Sequence, residues 1–226
     1  EGEFRILLPA GKERWVLAKG RTVNSSSGRG ARRMGVVMDI TERKQIDESL
    51  RESEERFRMI ADTAPVMIWM SNVDKLCTFF NKTWLDFTGR TLEQEIGNGW
   101  VDGVHREDFD RCLEIYAKAF DARQEFTMEY RLRRFDGEYR LILDNGAPRF
   151  GPGGAFLGYV GSCIDISEHK RAEETLEQER TFLRQVIDVA PNFIFAKDRD
   201  GRFTLVNQAV ADAYGTTVEG LIGKTD

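Results

Sequence analysis

The sequence predicts an α+β fold in which short helices cover one face of an antiparallel sheet. Three observations lead to this prediction: an internal repeat with a constant offset, strand segments in which apolar and polar residues alternate, and helical periodicity between two groups of strands. The alternation is clearest in 126–133, where every second residue is apolar, as a half-buried strand requires.

The repeat defines the organisation of the chain. Asp39-Ile40-Thr41-Glu42 recurs as Asp165-Ile166-Ser167-Glu168, 126 positions later, and the same offset relates Ala64-Pro65 to Ala190-Pro191. An offset of this length indicates whole domains in series rather than a solenoid of short repeats. The predicted segments are the C-terminal half of a first unit (1–41), a helical connector (42–63), a complete unit (64–167), a second connector (168–189) and the N-terminal half of a third unit (190–226).

The complete unit contains two strands, several helices and three further strands in that order. Asn81 is a predicted helix N-cap, and Gly89 a predicted left-handed helix end. The long helix after His105 has an apolar stripe at Phe109, Leu113, Tyr116 and Phe120. The predicted elements are strands 66–70 and 76–80, helices 82–87, 92–96 and one following 105–108, and strands 126–133, 139–143 and 156–166.

Composition and charge exclude several functional classes. The 226 residues are 41% hydrophobic and have a net charge of −5, which does not favour binding to nucleic acid. Three scattered cysteines without a CxxC pair indicate a reducing compartment. No apolar run approaches the roughly 20 residues that span a bilayer. We expect a cytoplasmic segment of a longer protein, whose membrane anchor, if it has one, lies outside this chain.

Several motifs make the chain similar to the PAS family. They are Ala64-Pro65, Phe79-Phe80-Asn81, the segment 85–93, Val104-His105-Arg106-Glu107-Asp108 (with Arg106 where the family has proline), the hairpin 130–140, and the exit motif Asp165-Ile166-Ser167-Glu168-His169-Lys170. The resemblance covers the whole chain when the partial units are counted. It implies a five-stranded PAS sheet and a sensor or interaction module, most often found in bacterial sensor histidine kinases. It does not imply a particular ligand.

A small-molecule pocket is expected between the long helix and the inner sheet face of the complete unit. The candidates, chosen from their apolar phase on facing elements, are Trp84, Phe87, Leu113, Tyr116, Met128, Tyr130 and Leu141. The same pattern would also fill a core that binds no ligand. An unliganded dimerisation spacer therefore stays an alternative, as does a flavin (FAD) or haem redox sensor, although no cofactor is required by the sequence.

The two connectors share an apolar seam. Its spacing of four and three residues is typical of a coiled coil with about three heptads. The seam residues are Ile46, Leu50, Phe57 and Ile60 in the first connector and Leu176, Leu183 and Val186 in the second, interrupted by Ser53 and Glu179. This spacing predicts a parallel homodimer in which the helices carry a signal between domains. The alternative is that each stripe packs on the sheet of its own domain.

Signal output is expected to leave the complete unit at Asp165, Ile166 and Ser167, because the last strand lines the core and continues into the second connector. We predict no catalytic centre and no metal site in this segment, since no phosphate-binding loop, kinase ATP lid or metal-ligand spacing is present. His105 and His169 are expected to be structural and solvent-exposed, respectively. Each half unit is expected to leave apolar residues uncovered, including Phe193, Phe195, Phe203 and Val206.

Overall fold

A computed structural model describes residues 1–9, 11–24 and 31–225. The chain divides into two compact units. The first compact unit comprises Glu1–Gly99 and Arg149–Ser162, and the second compact unit comprises Trp100–Pro148 and Cys163–Asp226. These compact units do not coincide with the repeat units of the sequence.

The N-terminal segment forms a three-stranded antiparallel sheet in the order β1-β2-β3. The strands are β1 (Gly2–Leu7), β2 (Glu13–Asn24) and β3 (Ala31–Asp39), followed by the helix α1 (Thr41–Thr63). Phe4 pairs with Val16, and Arg5 pairs with Trp15. Because paired residues share a face of a sheet, Phe4 and Trp15 lie on opposite faces.

The complete repeat forms a five-stranded sheet in the order β5-β4-β8-β7-β6. Its elements are β4 (Met67–Ser71), β5 (Cys77–Phe80), α2 (Lys82–Thr88), α3 (Leu92–Glu95), a 3₁₀ helix (Gly99–Gly103), α4 (Arg106–Ala122), β6 (Phe126–Arg133), β7 (Tyr139–Phe150) and β8 (Phe156–Asp165). The predicted α+β class and five-stranded antiparallel sheet are confirmed.

The C-terminal segment repeats the opening part of this arrangement. It contains α5 (Ser167–Val189), β9 (Phe195–Lys197), β10 (Phe203–Val206), α6 (Gln208–Ala213) and α7 (Val218–Leu221). Phe193 and Phe195 are exposed as expected, whereas Phe203 and Val206 are buried. They form a small core with Val210, Ala211 and Leu221, because α6 and α7 cover one side of the hairpin.

Local signals in the sequence place the helix ends. The Asn81 side chain accepts a hydrogen bond from the backbone N–H of Trp84, and Gly89 ends α2 with a φ of 69°, as predicted. Nδ1 of His105 accepts a hydrogen bond from the backbone N–H of Glu107 and thereby caps α4. The predicted structural role of His105 is therefore confirmed.

Strand β7 is longer than its predicted range of 139–143. It continues through Gly146, which pairs with Phe126. A Cβ atom at Gly146 would lie 2.2 Å from the Phe126 ring, so this glycine makes room for an aromatic side chain inside the strand. Its presence in the sequence reflects packing rather than a turn.

None of the helices in the described ranges is long and apolar enough to cross a membrane.

Candidate sensory core and signal-exit junction

In the second compact unit, the candidate core lies on one face of the β6–β7 hairpin. Met128 pairs with Asp144 and Tyr130 with Ile142, and these four residues are buried. Helix α4 packs against β6, and the Tyr116 ring lies 5.9 Å from the Phe126 ring. The structure therefore brings three candidates, Tyr116, Met128 and Tyr130, to the same side of the sheet.

Two other candidates occupy different positions from those expected. Leu141 pairs with Arg131 and lies on the opposite face from Tyr130, because side chains alternate along a strand. Ile142, which is fully buried, takes the inner position instead. On α4 the buried line runs through Cys112, Tyr116 and Phe120, while Leu113 is half-buried.

The remaining candidates, Trp84 and Phe87, lie on α2 in the first compact unit. Trp84 is 1% exposed and its ring lies 4.7 Å from that of Phe80, whereas Phe87 is half-buried. Nε1 of Trp84 has no hydrogen-bond acceptor within the described part of the chain. A buried indole N–H normally has an acceptor, so this one is available to a ligand atom or a water molecule.

The exit junction joins the end of β8 to the start of α5 through Arg140, which is buried. Its Nε donates to Oδ2 of Asp165 at 2.9 Å, and a second guanidinium nitrogen donates to Glu168 at 2.9 Å. The backbone N–H of Leu141 donates to Oγ of Ser167, and the backbone N–H of Ile166 donates to the carbonyl of Leu141. All three predicted exit residues are therefore bonded to β7.

Electrostatics at this junction keep Asp165 ionised. Burial works to raise the pKa of Asp165, but hydrogen bonds from Ser167 and Arg140 outweigh it, and the pKa lies below its usual value. The hydrogen bonds to Asp165 and Glu168 raise the pKa of Arg140 above its ordinary value. Both partners of the ion pair are thus stabilised in their charged forms.

The same junction occurs in the N-terminal segment. Arg14 lies 3.3 Å from Asp39, and the backbone N–H of Trp15 donates to Oγ1 of Thr41. The role of Arg140 was not anticipated from the sequence. The repeat contains the necessary signal, since Arg14 and Arg140 are separated by the repeat offset of 126.

A second junction fastens the C-terminal end of each connector helix. The Asn81 amide nitrogen donates to the carbonyls of Ala61 and Val66, and its oxygen accepts from the backbone N–H groups of Ile68 and Trp84. Asn207 makes the corresponding contacts with Ile187, Asn192, Ile194 and Val210, and one more with Ala190. We call each of these arrangements an asparagine clamp.

The seam of the connectors is largely exposed in the single chain. The exposed seam residues are Ile46, Leu50, Phe57, Ile60, Leu176, Leu183 and Val186. Phe57 also contacts strand β5, because its ring lies 5.5 Å from that of Phe79. One seam residue of the first connector therefore packs against a strand, and the other seam residues are exposed to solvent in the single chain. The coiled coil stays a prediction.

The three cysteines are buried and His169 is exposed, as the sequence predicts. Cys77, Cys112 and Cys163 are buried free thiols, and burial is the main reason that the pKa of Cys112 is raised to about 11. His169 is exposed on α5. In residues 1–9, 11–24 and 31–225, no three His, Cys, Asp or Glu side chains are grouped so that they could hold a metal ion.

Comparison with known proteins identifies the fold family. The sequence model described as "PAS fold" matches residues 55–166, and the one described as "PAS domain" matches residues 181–226. The chain is 36% identical to "Uncharacterized protein y4lL" of Sinorhizobium fredii, in an alignment that covers 97% of this chain and 29% of that protein.

One further relative has a name that describes a signalling protein. The chain is 24% identical to "Two-component sensor PprA" of Pseudomonas aeruginosa, over 95% of this chain and 23% of that protein. A solved structure, "Sensory Box Histidine Kinase/Response Regulator" of Burkholderia thailandensis, is 24% identical with a TM-score of 0.43, covering 57% of this chain and 98% of that one. The chain spans less than a third of the length of these curated relatives. With two family models matched in register with its internal repeat, the chain belongs to the PAS family.

Proposed function

We propose that this chain is a sensor and relay region in which the complete PAS unit receives an input and passes it to α5. The input is a small molecule held at the inner sheet face, and the output domain is a histidine kinase outside this chain. We assign the segment no catalytic step of its own. The kinase output is supported by the similarity to "Two-component sensor PprA" and to "Peroxide stress-activated histidine kinase mak1" of Schizosaccharomyces pombe, which is 23% identical over 77% of this chain and 12% of that protein.

The observation that carries the proposal is the exit junction around Arg140. This side chain is buried on the inner face of β7, in line with Ile142 and Asp144, and it bonds to Asp165 and Glu168 at the start of α5. A displacement of β7 by a ligand would therefore change the contacts that hold the first turn of α5. A packed core transmits such a displacement because it is not continuously deformable.

The proposal includes a parallel homodimer through the connectors, supported by the exposed seam on both helices. In such a dimer, a rotation or register shift of α5 would change its packing against α5 of the second copy. A ligand at the inner sheet face is supported by three of the candidates, Tyr116, Met128 and Tyr130, which are buried on the same side of the sheet. No comparable observation favours a flavin or haem, and the absorbance of the purified protein tests for both.

The experiment compares Arg140→Ala with Arg133→Ala, which removes the same charge from the exposed side of β6. Hydrogen exchange of residues 167–175 should accelerate in Arg140→Ala and stay unchanged in the control. With the chain fused after α5 to a reporter histidine kinase, Arg140→Ala should change autophosphorylation by about threefold or more. If both variants leave exchange and kinase output unchanged, the junction does not relay a signal.

A further inference from the structure

The residue that caps α4 is a histidine with a ring nitrogen in the acceptor role. Nδ1 of His105 accepts a hydrogen bond of 3.3 Å from the backbone N–H of Glu107. Only a nitrogen without a proton can accept, so this cap requires the neutral imidazole with its proton on Nε2. The first turn of the helix is therefore held by the type of side chain that ordinarily changes its charge between about pH 5 and 8.

His105 is fixed to two strands and still accessible to solvent. Its backbone N–H donates to the carbonyl of Arg131 on β6 at 2.8 Å. Its ring packs edge-on against the ring of Tyr139 on β7, with 4.7 Å between the ring centres and 77° between the ring planes. The His105 side chain is 27% exposed, so a proton from solvent can reach it without unfolding the domain.

Charged groups lie on both sides of this imidazole. Oε2 of Glu107 is 3.9 Å from Nδ1, and a guanidinium nitrogen of Arg131 donates to that same oxygen at 2.9 Å. Arg131 also binds both carboxylate oxygens of Asp108, and Arg106 begins the helix beside these two acids. From β7 the titratable group that meets the ring is the phenol of Tyr139. The Glu107 carboxylate is therefore an acceptor within reach of Nδ1 once that nitrogen carries a proton.

Protonation reverses the hydrogen-bonding role of His105. When Nδ1 takes a proton from solvent, it becomes a donor and can no longer accept from the Glu107 N–H. The new positive charge also lies at the N-terminus of a helix, where the macrodipole disfavours cations. Rotation of the ring toward the Glu107 carboxylate gives the imidazolium an acceptor, but it competes with Arg131 for the same oxygen. The helix then loses its cap, and Arg131 loses one of its partners.

Arg131 connects this site to the exit junction within the second compact unit. It is paired with Leu141 of β7, whose carbonyl accepts from the backbone N–H of Ile166 and whose own N–H donates to Oγ of Ser167. One pair of strand residues therefore separates the carbonyl that holds His105 from the start of α5. A shift of Arg131 would change the position of the backbone groups that hold the first turn of α5.

We propose that His105 is a proton-sensitive switch, in which protonation exchanges the cap of α4 for a bond to the Glu107 carboxylate and shifts Arg131. The proton is thus a second input to the exit junction. Because Arg131 and Leu141 face away from Tyr130, this input is received outside the inner sheet face. The exchange at α4 is independent of the small-molecule input, whereas its transmission to α5 rests on the proposed relay.

The test is hydrogen exchange of the full chain, followed by NMR between pH 7.5 and 5.5 and corrected for the intrinsic pH dependence of exchange. In the wild type, protection of the Glu107 amide should fall about fivefold or more over this range, because the amide loses its acceptor. His105→Asn should keep this protection to within about twofold, since asparagine caps a helix and does not titrate. His105→Ser provides a second cap without an imidazole and should behave in the same way.

The chain has two histidines, and the exposed His169 on α5 is the matched control. His169→Asn should retain the wild-type response at Glu107. The Ile166 amide should lose protection over the same pH range in the wild type and stay constant in His105→Asn.

Two results contradict the switch: constant protection of Glu107 in the wild type, or an equal fall in His105→Asn. A response at Glu107 without one at Ile166 overturns the transmission to α5. Each of these results leaves the proposed function standing, because that function is tested separately with Arg140→Ala at a constant pH.

Discussion

The side-chain amide of Asn81 donates a hydrogen bond to the carbonyl of Ala61 at a distance of 2.7 Å. Ala61 lies in the last turn of α1, and Asn81 is fully buried at the start of α2. The end of the connector helix is thus held from inside the folded unit. A reinforcing contact comes from Asp62, whose carboxylate accepts from the backbone N–H of Lys82.

The asparagine clamp predicts a separation of two effects. Asn81→Asp keeps the acceptor for Ile68 and Trp84 but loses the donor to Ala61 and Val66, so it should destabilise the fold by about 1–3 kcal/mol. Hydrogen exchange in residues 58–66 should accelerate more than exchange in α2. Asn145→Ala, at an exposed position, is the control, and equal acceleration in both variants would contradict the clamp.

Acid stability should depend on Asp108. Hydrogen bonds from Arg131, at 2.8 and 3.0 Å, hold the pKa of Asp108 well below its ordinary value of 3.8. A lowered pKa in the folded state gives stability that is complete above the unfolded value and is lost as the pH falls below it toward the folded value. Urea unfolding of wild type and Asp108→Asn should therefore differ at pH 7 and converge as the pH falls below 3.8.

Asp110→Asn controls for the loss of a charge on the same helix. Its difference from wild type should be small at neutral pH, because Asp110 is exposed. A constant difference between wild type and Asp108→Asn across the whole pH range would show that the ion pair with Arg131 is not the cause.

Gly161 should not tolerate a side chain. A Cβ atom there would lie 2.3 Å from the Trp69 indole, whose ring occupies the space above the glycine. Gly161→Ala should lower the free energy of unfolding by about 1–3 kcal/mol through overpacking. Gly2→Ala, where no atom lies within 4 Å of the added Cβ, should be nearly neutral in the same denaturation experiment, and equal effects would argue against the packing explanation.

The connector dimer makes a prediction about oligomeric state. Leu50→Asp combined with Leu176→Asp should lower the dimer fraction in sedimentation, because each places a charge in the apolar seam. Met59→Asp, at an exposed position of α1 outside the seam spacing, should leave it unchanged. A wild type that is monomeric at micromolar concentrations and above would show that this chain does not dimerise through its connectors.

The sequence predicted the parts of the fold that depend on periodicity and local chemistry. The repeat offset, the caps at Asn81 and Gly89 and the alternation in β6 all correspond to observed features. The errors arose where an apolar stripe was equated with the buried face. The buried residues of α4 are Asp108, Cys112, Tyr116 and Phe120, each four positions from the next. Leu113 lies beside this line and is therefore only half-buried.

The same reasoning missed Asp144 and Arg140, since charged residues are expected at the surface. Both are buried on β7 and lie two positions from Ile142 on either side, so all three share one face of the strand. The alternation along the strand therefore does indicate their inward position. The contacts of Arg140 with Asp165 and Glu168 depend on residues about 25 positions apart in sequence. Periodicity describes one element at a time and does not reveal such pairs.

The asparagine clamp has a consequence for the design of chimeric proteins that contain parts of this chain. A fusion point at Ala64, where the sequence motif begins, would separate Asn81 from Ala61 and replace the helix end that it holds. A fusion point in the middle of α1 or α5 would instead transfer the last turn of the helix together with the domain that grips it. The smallest transplantable module therefore begins inside the connector helix, upstream of Ala61 or Ile187, rather than at the first strand.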